Sequence, residues 1–522
     1  MQTMARFTKL LTTIAPIALI LCFGAASAQA FCGFYVGGAT ADLFNNATQV
    51  VLMRQSTTTI LSMQNNYQGP PANFALVVPV PVVIKEEQVK TLPRELFAKV
   101  DQLGAPRLVE YWEQDPCAPE QYEDLVFSSG NEVMSIEATS DRASDDDYQV
   151  TIEAQFSVGE YDIVVLSAKD STGLERWLRD NRYQIPKGVE PLLRPYVENG
   201  TKFFVAKVDP KKVKFEGGMA TLSPLRFHYD SPEFMLPIRL GLASSPGTQD
   251  LIVNILAPQR YEVANYPNTT IPTNITVRDS VRSRFAEFYA ALFDETLRHT
   301  PRAVVTEYAW DSSTCDPCPG PTLTPEDLAT LGADVIEQTY RDADAYSLTL
   351  TRLHARYGKD TTEDLVFRAV QPLAGGRGTP APDGTMSMAL EPESSNNFQA
   401  RYAILHPWTG QVACAAPQRG RWGGPPSDQQ IVAPNAGAPT AATNLAFAPR
   451  GKLNLAEHVT ADVNMVGVLA SNKAPLAPLL RKPRTCGCSS AAGSACASLL
   501  VLLVLLFRRR SRLRSSSSHS RN

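Results

Sequence analysis

Residues 48–64 of the chain read TQVVLMRQSTTTILSMQ, and they give the first indication of its fold class. Two apolar, largely β-branched runs, 48–54 and 57–64, flank a short polar break, which is the pattern of two strands joined in a hairpin. Runs of the same kind predict further strands at 105–112, 132–138, 148–156, 161–168, 202–209, 234–242 and 250–257. The sequence therefore predicts a strand-rich body.

One apolar run contains two prolines. The stretch FALVVPVPVVI (74–84) has the composition of a strand, but Pro79 and Pro81 lack the amide hydrogen that a sheet ladder needs. We therefore expect this strand at a sheet edge or at a bulge.

Helices are predicted at three places. In 279–299 large apolar residues recur at steps of three and four, the period of a helix that buries one face; they are Val281, Phe285, Phe288, Leu292 and Phe293. The segment 171–181 is a second candidate, with Ser171 or Thr172 as its cap. A third begins at Thr324, which a proline and two acids follow. Strands and helices together predict an α+β fold.

The length of 522 residues exceeds the roughly 250–300 at which one hydrophobic core stops growing, so more than one packed lobe is expected. A strand that contains Glu-Tyr and leads to a cysteine-bearing loop occurs twice, as RLVEYWEQDPC (107–117) and AVVTEYAWDSSTCDPC (303–318). This echo predicts two related α+β lobes, 31–268 and 269–416. The segment 417–484 is rich in Pro, Gly and Ala, which predicts a tether with a few ordered patches.

The N-terminal residues 1–30 have the pattern of a secretory signal peptide. A short basic segment with Arg6 and Lys9 precedes the apolar run 10–23, and the sequence AASAQA supplies small residues for cleavage. We therefore expect the chain to be exported and its cysteines to meet an oxidising compartment.

The C-terminal part predicts a membrane anchor. Residues 491–507 carry no charge and reach the lower limit of a bilayer-spanning helix, and Arg508, Arg509 and Arg510 follow directly. Basic residues beside a span stay in the cytoplasm, so 511–522 is predicted as a cytoplasmic tail and the body as lying outside the inner membrane. This pattern predicts a cell-envelope protein whose partner is the membrane, which it enters through the C-terminal helix.

Two cysteines give this anchor a second interpretation. Cys486 and Cys488 stand just before the apolar run, and the segment 485–510 resembles the C-terminal sorting domain of myxobacteria and related bacteria. That resemblance implies a transient anchor, a sorting protease that cuts near the cysteines, and transfer of the body to the cell surface. Residues 511–522 extend past the usual end of such domains, so retention as a single-pass membrane protein is the alternative.

Charge and motifs narrow the function classes. Eight of the 49 basic residues lie in the two terminal segments, so the body is more acidic than the net charge of −4 indicates, and nucleic acid is not an expected partner. The chain has no Gly-x-Ser-x-Gly elbow, no His-Glu-x-x-His helix and no phosphate-binding loop. Its histidines are isolated in sequence. No catalytic residue, cofactor or metal site is predicted.

Five cysteines lie in the predicted exported body. Cys315 and Cys318 form a Cys-x-x-Cys pair, for which we predict a structural disulfide, with a redox site or a metal site as alternatives. The redox interpretation needs a helix N-terminus at the first cysteine, whereas the nearest predicted helix begins several residues later. Cys32, Cys117 and Cys414 are further disulfide candidates whose partners the sequence leaves open.

Two segments mix aromatic, basic and glycine residues. They are ILHPWTG (404–410) and RGRWGGPP (419–426). Such side chains suit either the wall of a binding groove or the cover of an exposed sheet edge. The sequence leaves these two interpretations open.

Several long blocks together resemble one bacterial family, domain of unknown function 2330. They include FCGFYVGGATADLFNNATQVVLMR (31–54), VGEYDIVVLSAKDS (158–171), FFVAKVDPKKV (203–213) and VTEYAWDSSTCDPCPGP (305–321). The resemblance covers most of residues 31–425. It implies an exported protein, often with a C-terminal anchor, and it brings no activity and no catalytic residue.

These observations predict an exported cell-envelope protein with a disulfide-braced ectodomain, in a surface structural, adhesion or ligand-binding role. An envelope thiol-disulfide oxidoreductase that uses Cys315 and Cys318 is one alternative. A hydrolase without a recognisable motif is another.

Overall fold

The structure is a computed structural model, and it describes only part of the chain. The described residues are 34–36, 44–45, 48–118, 149–336, 348–425, 439–441, 450 and 453–471, with gaps at 65, 69–74, 182, 184, 186–187, 210, 217–218 and 245–246. All of them belong to one compact unit, Met1–Asn472. Several predictions fall outside the described residues: the signal peptide (1–30), Cys32, the strand 132–138, the anchor 485–510 with Cys486 and Cys488, and the tail 511–522.

The strands, numbered in chain order, are β1 (Phe34–Val36), β2 (Phe44–Asn45), β3 (Thr48–Gln55), β4 (Thr58–Gln64), β5 (Asn66–Gln68), β6 (Ala75–Val80), β7 (Val89–Thr91), β8 (Arg107–Glu113), β9 (Val150–Val158), β10 (Tyr161–Ala168), β11 (Lys202–Val208), β12 (Lys214–Glu216), β13 (Met219–Thr221), β14 (Leu225–Asp230), β15 (Met235–Leu236), β16 (Gln249–Ala257), β17 (Arg260–Val263), β18 (Asn268–Thr270), β19 (Ile275–Thr276), β20 (Val304–Asp311), β21 (Thr349–Tyr357), β22 (Leu365–Val370), β23 (Leu373–Gly375), β24 (Glu391–Pro392), β25 (Asn397–Gln399), β26 (Arg401–His406), β27 (Trp422–Gly423) and β28 (Thr440–Ala441).

The α-helices are α1 (Arg94–Gly104), α2 (Ser171–Asp180), α3 (Glu190–Glu198), α4 (Phe285–His299) and α5 (Pro325–Leu328). Short 3₁₀ turns lie at Glu86–Gln88, Arg239–Ser244, Asp279–Arg284, Leu455–Glu457 and Asn464–Val466, and a π-helical turn at Ala329–Ala333 follows α5. The fold is strand-rich and α+β, as the sequence predicted.

The hairpin predicted at 48–64 lies in the middle of the largest described sheet. Its two strands pair from Gln49 with Gln64 to Gln55 with Thr58. On its other side β3 runs parallel to β16. The full strand order is β24, β23, β25, β20, β21, β16, β3, β4, β14 and β7, with β18 added beside β20.

Strands from both predicted lobes share this sheet. β3 and β16 belong to 31–268, β20 and β21 belong to 269–416, and β16 pairs with β21 from Gln249 to Ala257. The two Glu-Tyr segments form β8 and β20, which lie in different sheets. The boundary at 268 therefore does not separate two lobes in the described structure, because pairing between distant strands crosses it.

A second, antiparallel sheet packs on one face of the large sheet, and it has the order β1, β6, β11, β10 and β9. Alternate residues of the central hairpin face it, so Val50 and Leu52 share a core with residues of the second sheet such as Leu76, Ile163 and Phe204. The intervening hairpin residues, Val51, Met53 and Ile60, face the opposite side, where α1 packs with Leu96, Phe97 and Val100. Burial on both faces explains why β3 and β4 read as continuous apolar runs.

Helices cover two further faces. α2 and α3 pack on the outer side of the second sheet through residues such as Leu174, Trp177 and Leu193. α4 packs through Phe288 and Phe293 against β26 and the C-terminal segment 453–471. Part of the predicted tether 417–484 is therefore core, since 453–471 contributes buried residues that include Leu455, Val459 and Val466.

The proline-bearing strand is not at an edge, which corrects the sequence prediction. β6 pairs with β11 on one side and with β1 on the other. β1 reaches only Ala75–Val77, so Pro79 lies beyond the part of β6 that is paired on both sides. The missing amide hydrogen is tolerated there.

The predicted helix ends and two further elements also differ in detail. Asp170, and neither Ser171 nor Thr172, caps α2 by accepting a hydrogen bond from the backbone N–H of Gly173. α1 and α3 were not predicted, and the predicted strand 234–242 contains only the short strand β15 before the 3₁₀ turn that begins at Arg239. Within the described part of the chain, none of the helices combines the length and apolar character that crossing a membrane requires.

Candidate functional site

A cleft of about 660 Å³ lies where five segments meet. Its lining residues come from β8, from 274–277, from the loop 382–388, from 405–422 and from 460–461. The walls are mainly apolar: Pro382, Met386, Met388, Leu405, Pro407 and Trp422. Both segments that the sequence singled out, 404–410 and 419–426, contribute to these walls. A mainly apolar concavity of this size is typical of small-molecule sites.

Glu113, the last residue of β8, organises the floor of the cleft. Its carboxylate accepts four hydrogen bonds: from Arg419 Nε at 2.7 Å, Arg419 Nη2 at 2.8 Å, the Gly420 backbone at 2.8 Å and the Trp408 backbone at 2.9 Å. Burial alone raises the pKa of Glu113, but these hydrogen bonds outweigh it and hold the pKa below its ordinary value. The carboxylate is saturated and ionised, so it serves to hold the two segments together.

Covalent and backbone links reinforce the same junction. Cys117, just beyond β8, is bonded to Cys414, with their Cα atoms 5.6 Å apart. Trp422 and Gly423 form β27, which pairs with the end of β8. The segment 419–426 therefore both covers a sheet edge and lines a groove, so the two interpretations left open by the sequence apply together.

The opposite wall, the loop 382–388, is held from behind by a buried arginine. Arg401 donates from Nε to Asn274 Oδ1 at 2.9 Å, and Asn274 in turn donates from Nδ2 to the Ser387 carbonyl at 2.8 Å. Trp422 donates from Nε1 to the Ala381 carbonyl at 3.0 Å. The indole N–H is thus satisfied by the loop.

Close backbone packing fixes the mouth of the cleft. A Cβ added to Gly420 would lie 2.2 Å from the Pro382 carbonyl oxygen, and Gly420 has φ +77. Only glycine allows both the positive φ and this approach. Along 405–407 alternate side chains face opposite ways, so Leu405 and Pro407 line the cleft, whereas His406 stacks on Trp112 with ring centroids 4.6 Å apart.

The Cys315–Cys318 pair lies elsewhere. The two cysteines are joined to each other in the loop between β20 and α5, with Cα atoms 5.0 Å apart. Thr324 caps α5 with a reciprocal pair of hydrogen bonds to Asp327. Cys315 therefore does not sit at the helix N-terminus.

A second polar cluster is buried in the large sheet. His354 Nδ1 lies 2.8 Å from Glu307 Oε1, and its Nε2 lies 3.3 Å from Asp250 Oδ1. Glu307 also accepts from Arg352 Nε at 2.7 Å, and Phe293 stacks on the imidazole with centroids 3.7 Å apart. Burial disfavours the charged imidazole, but the neighbouring carboxylates outweigh it and raise the pKa of His354 above its ordinary value. Sequence reasoning treated His354 as isolated, because its partners lie on other strands.

Neither the cleft nor this cluster has the donor set of a metal centre. Among the described residues there is no group of three or more His, Cys, Asp or Glu side chains that could hold a metal ion.

The fold and the cleft define an α+β protein with a ligand-sized cavity braced by a disulfide and by the ion pair between Glu113 and Arg419. Residues 26–368 match the family described as "Uncharacterized protein conserved in bacteria (DUF2330)". The chain belongs to the DUF2330 family. No curated protein and no solved structure matches it. The cleft combines residues from inside the matched range with residues that follow it. Glu113 and 274–277 lie inside the range, and 382–422 lies beyond its end.

Proposed function

We propose that the chain is an exported protein of the bacterial cell envelope whose ectodomain binds a small molecule in the cleft. The observation that carries the binding role is the cleft itself, about 660 Å³ with mainly apolar walls. Preformed cavities of roughly 300–1,000 Å³ with few polar groups are the usual form of small-molecule sites.

The construction of the walls supports binding over a purely structural role. Arg419 neutralises the charge of Glu113, so a ligand at the floor of the cleft does not meet an unpaired carboxylate there. Trp422 lines the cleft and its N–H donates to the Ala381 carbonyl, so a ligand can contact the ring without leaving an indole donor unpaired. These features favour a ligand with a planar or ring-shaped apolar part.

Export is supported by the cysteines and by the terminal segments. The Cys117–Cys414 and Cys315–Cys318 pairs are both at bonding geometry, and disulfides persist mainly in oxidising compartments. The proposal includes membrane attachment through 485–510, with removal of this segment by a sorting protease near Cys486 and Cys488, or its retention as a single-pass anchor.

Intact-mass analysis of the protein from its native host tests the location. We expect loss of the first 28 or 30 residues, and the mass also shows whether the chain ends near Cys486. A chain that retains Met1 and carries all its cysteines as free thiols would contradict export.

Binding is tested on the full chain with a fragment set built on indole, phenol and pyranose rings, followed by ligand-observed NMR. Thr460→Trp places a large side chain at the exposed rim of the cleft, and Thr172→Trp makes the same change on exposed α2 as a matched control. We expect fragments that bind the wild type and the control but not Thr460→Trp. Binding that survives in Thr460→Trp, or no binding by any fragment, would refute the binding role.

A further inference from the structure

The two sulfurs of the Cys315–Cys318 disulfide differ in accessibility. Cys318 is exposed, whereas Cys315 is half-buried and packs against the apolar cluster that includes Leu328 and Leu331. An external thiolate therefore reaches Cys318 first, and Cys315 is the sulfur that leaves. Attack on a specific sulfur with a defined leaving group is the requirement for directed thiol-disulfide exchange.

Three side chains from separate elements hold the loop in place. Gln102 of α1 donates to the Pro319 carbonyl at 2.8 Å, and Arg107 of β8 donates from Nη1 to the Pro317 carbonyl at 2.7 Å. Gln399 of β25 donates to the Asp316 carbonyl. Because none of these bonds involves sulfur, the loop keeps its anchors when the disulfide opens, and the two thiols stay close enough to close again.

One buried guanidinium group contacts this loop, and a second lies on the neighbouring strand. Arg107 is 0% exposed and Arg401 is 1% exposed, and they are register partners of the parallel strands β8 and β26. Arg107 donates to the carbonyls of Leu103 and Pro317, and Arg401 donates to Asn274, the Tyr111 hydroxyl and the Gly378 carbonyl. All of these acceptors are neutral.

Within the described part of the chain neither arginine forms an ion pair with a carboxylate. Burial lowers the pKa of both groups, and the carboxylate whose charge opposes this at both is Asp316, which is exposed and lies between the two cysteines. Arginine remains protonated in proteins. The loop therefore contacts the positive charge of Arg107, has that of Arg401 on the neighbouring strand, and carries the negative charge of Asp316.

Positive charge near the loop can stabilise a cysteine thiolate in place of a helix N-terminus. Reactive cysteines need a nearby cation or a helix N-terminus, since either stabilises the thiolate. Helix α5 begins only at Pro325, so its dipole is remote from Cys315. Arg107 donates to the Pro317 carbonyl between the two cysteines, so it is the cation placed to favour a thiolate in this loop, as a positioning residue.

We propose that Cys315 and Cys318 form a thiol-disulfide exchange site that oxidises a pair of thiols on an exported polypeptide. A substrate thiolate attacks Cys318 Sγ, the disulfide breaks, and Cys315 leaves with the electron pair as a thiolate. The second substrate thiolate then attacks the substrate sulfur of the mixed disulfide, and Cys318 leaves. The substrate is oxidised by two electrons, the cysteine pair is reduced, and a low-molecular-weight disulfide reoxidises it by the reverse exchange.

Selective reduction of the folded protein tests the site, with the second disulfide as an internal control. The full chain is treated with reduced glutathione under native conditions, the free thiols are alkylated, and the labelled cysteines are mapped by mass spectrometry. We expect Cys315 and Cys318 to be labelled while Cys117 and Cys414 stay bonded. Labelling of all four together, or only after unfolding, would show that Cys315–Cys318 is a structural bridge.

Turnover is tested with a synthetic peptide that carries two cysteines, with oxidised glutathione as the terminal oxidant. We expect substoichiometric wild-type protein to accelerate peptide oxidation and the Cys315→Ser, Cys318→Ser double variant to be inactive. Asp316→Asn removes the opposing charge from an exposed side chain, so it should raise the rate several-fold, whereas Asp180→Asn at the exposed end of α2 should not. Equal rates with wild type and the double variant would overturn the proposal, and so would a rate that Asp316→Asn leaves unchanged.

Discussion

Glu113 and Arg419 form a two-bond ion pair at the floor of the cleft, with Arg419 Nε 2.7 Å from Oε1 and Nη2 2.8 Å from Oε2. The side chain of Glu113 is 4% exposed, whereas that of Arg419 is 52% exposed. The carboxylate is therefore the buried member of the pair. It joins the end of β8 to two segments that come about 300 residues later in the sequence.

Glu113→Gln should destabilise the protein, because an amide nitrogen would face donors that now share a carboxylate. We expect a loss of about 1.5–3 kcal/mol in the free energy of unfolding, measured in urea. Glu233→Gln, an exposed residue, serves as the control and should stay within about 0.5 kcal/mol of the wild type. Equal stability of the two variants would mean that Glu113 does not brace the cleft.

The pKa of His354 predicts a stability change on the alkaline side. Because Glu307 and Asp250 raise the pKa of His354 in the folded state, its contribution to stability is complete below the unfolded pKa of about 6.5 and is lost as the pH rises through the folded value. The free energy of unfolding is measured from pH 6 to pH 10 for the wild type and His354→Gln. We expect the difference between them to be largest at the acidic end and to shrink with rising pH; a constant difference would contradict a protonated His354.

The two disulfides should differ in their contribution to stability. Cys117 and Cys414 are 297 residues apart, whereas Cys315 and Cys318 are 3 apart. In the chain-entropy model the stabilisation grows with the logarithm of the closed loop, so replacing the first pair by serine should cost about 2–4 kcal/mol more than replacing the second. Thermal and urea unfolding of the two double variants checks this order, and the reverse order would contradict it.

Gly420→Ala should distort the mouth of the cleft. The added methyl group would collide with the Pro382 carbonyl, whereas the same change at Gly188, which also has a positive φ, meets nothing within 4 Å. We expect Gly188→Ala to cost about 1–2 kcal/mol from backbone conformation alone. Gly420→Ala should cost more and should also abolish fragment binding. If both variants lose the same stability and both bind fragments, the contact with Pro382 does not matter.

Local patterns predicted the local elements. The residues that define the hairpin 48–64 and helix α4 are close together in the sequence, so the sequence was sufficient to predict both elements. The parallel pairing of β3 with β16, and of β8 with β26, joins segments about 200 and 300 residues apart, and no local pattern specifies it. The same holds for the pairing of β16 with β21, which crosses residue 268 and is the reason why one sheet spans the two predicted lobes.

Only part of the cleft could be predicted from the sequence. The composition of 404–410 and 419–426 pointed to a groove or an edge cover, but Glu113 and the loop 382–388 gave no signal of their own. Arginine is mostly exposed in proteins, so the burial of Arg107 and Arg401 was not expected from residue type. Their neutral partners include carbonyl groups that belong to every residue, so a sequence pattern cannot reveal them.

The most direct test of the binding role is a crystal structure of the chain with the fragment that binds most tightly. We predict electron density for the fragment inside the cleft, with its ring against Trp422 and its edge towards Met388 and Thr276. Density for the fragment at another surface, with the cleft free of it at saturating concentration, would contradict the account.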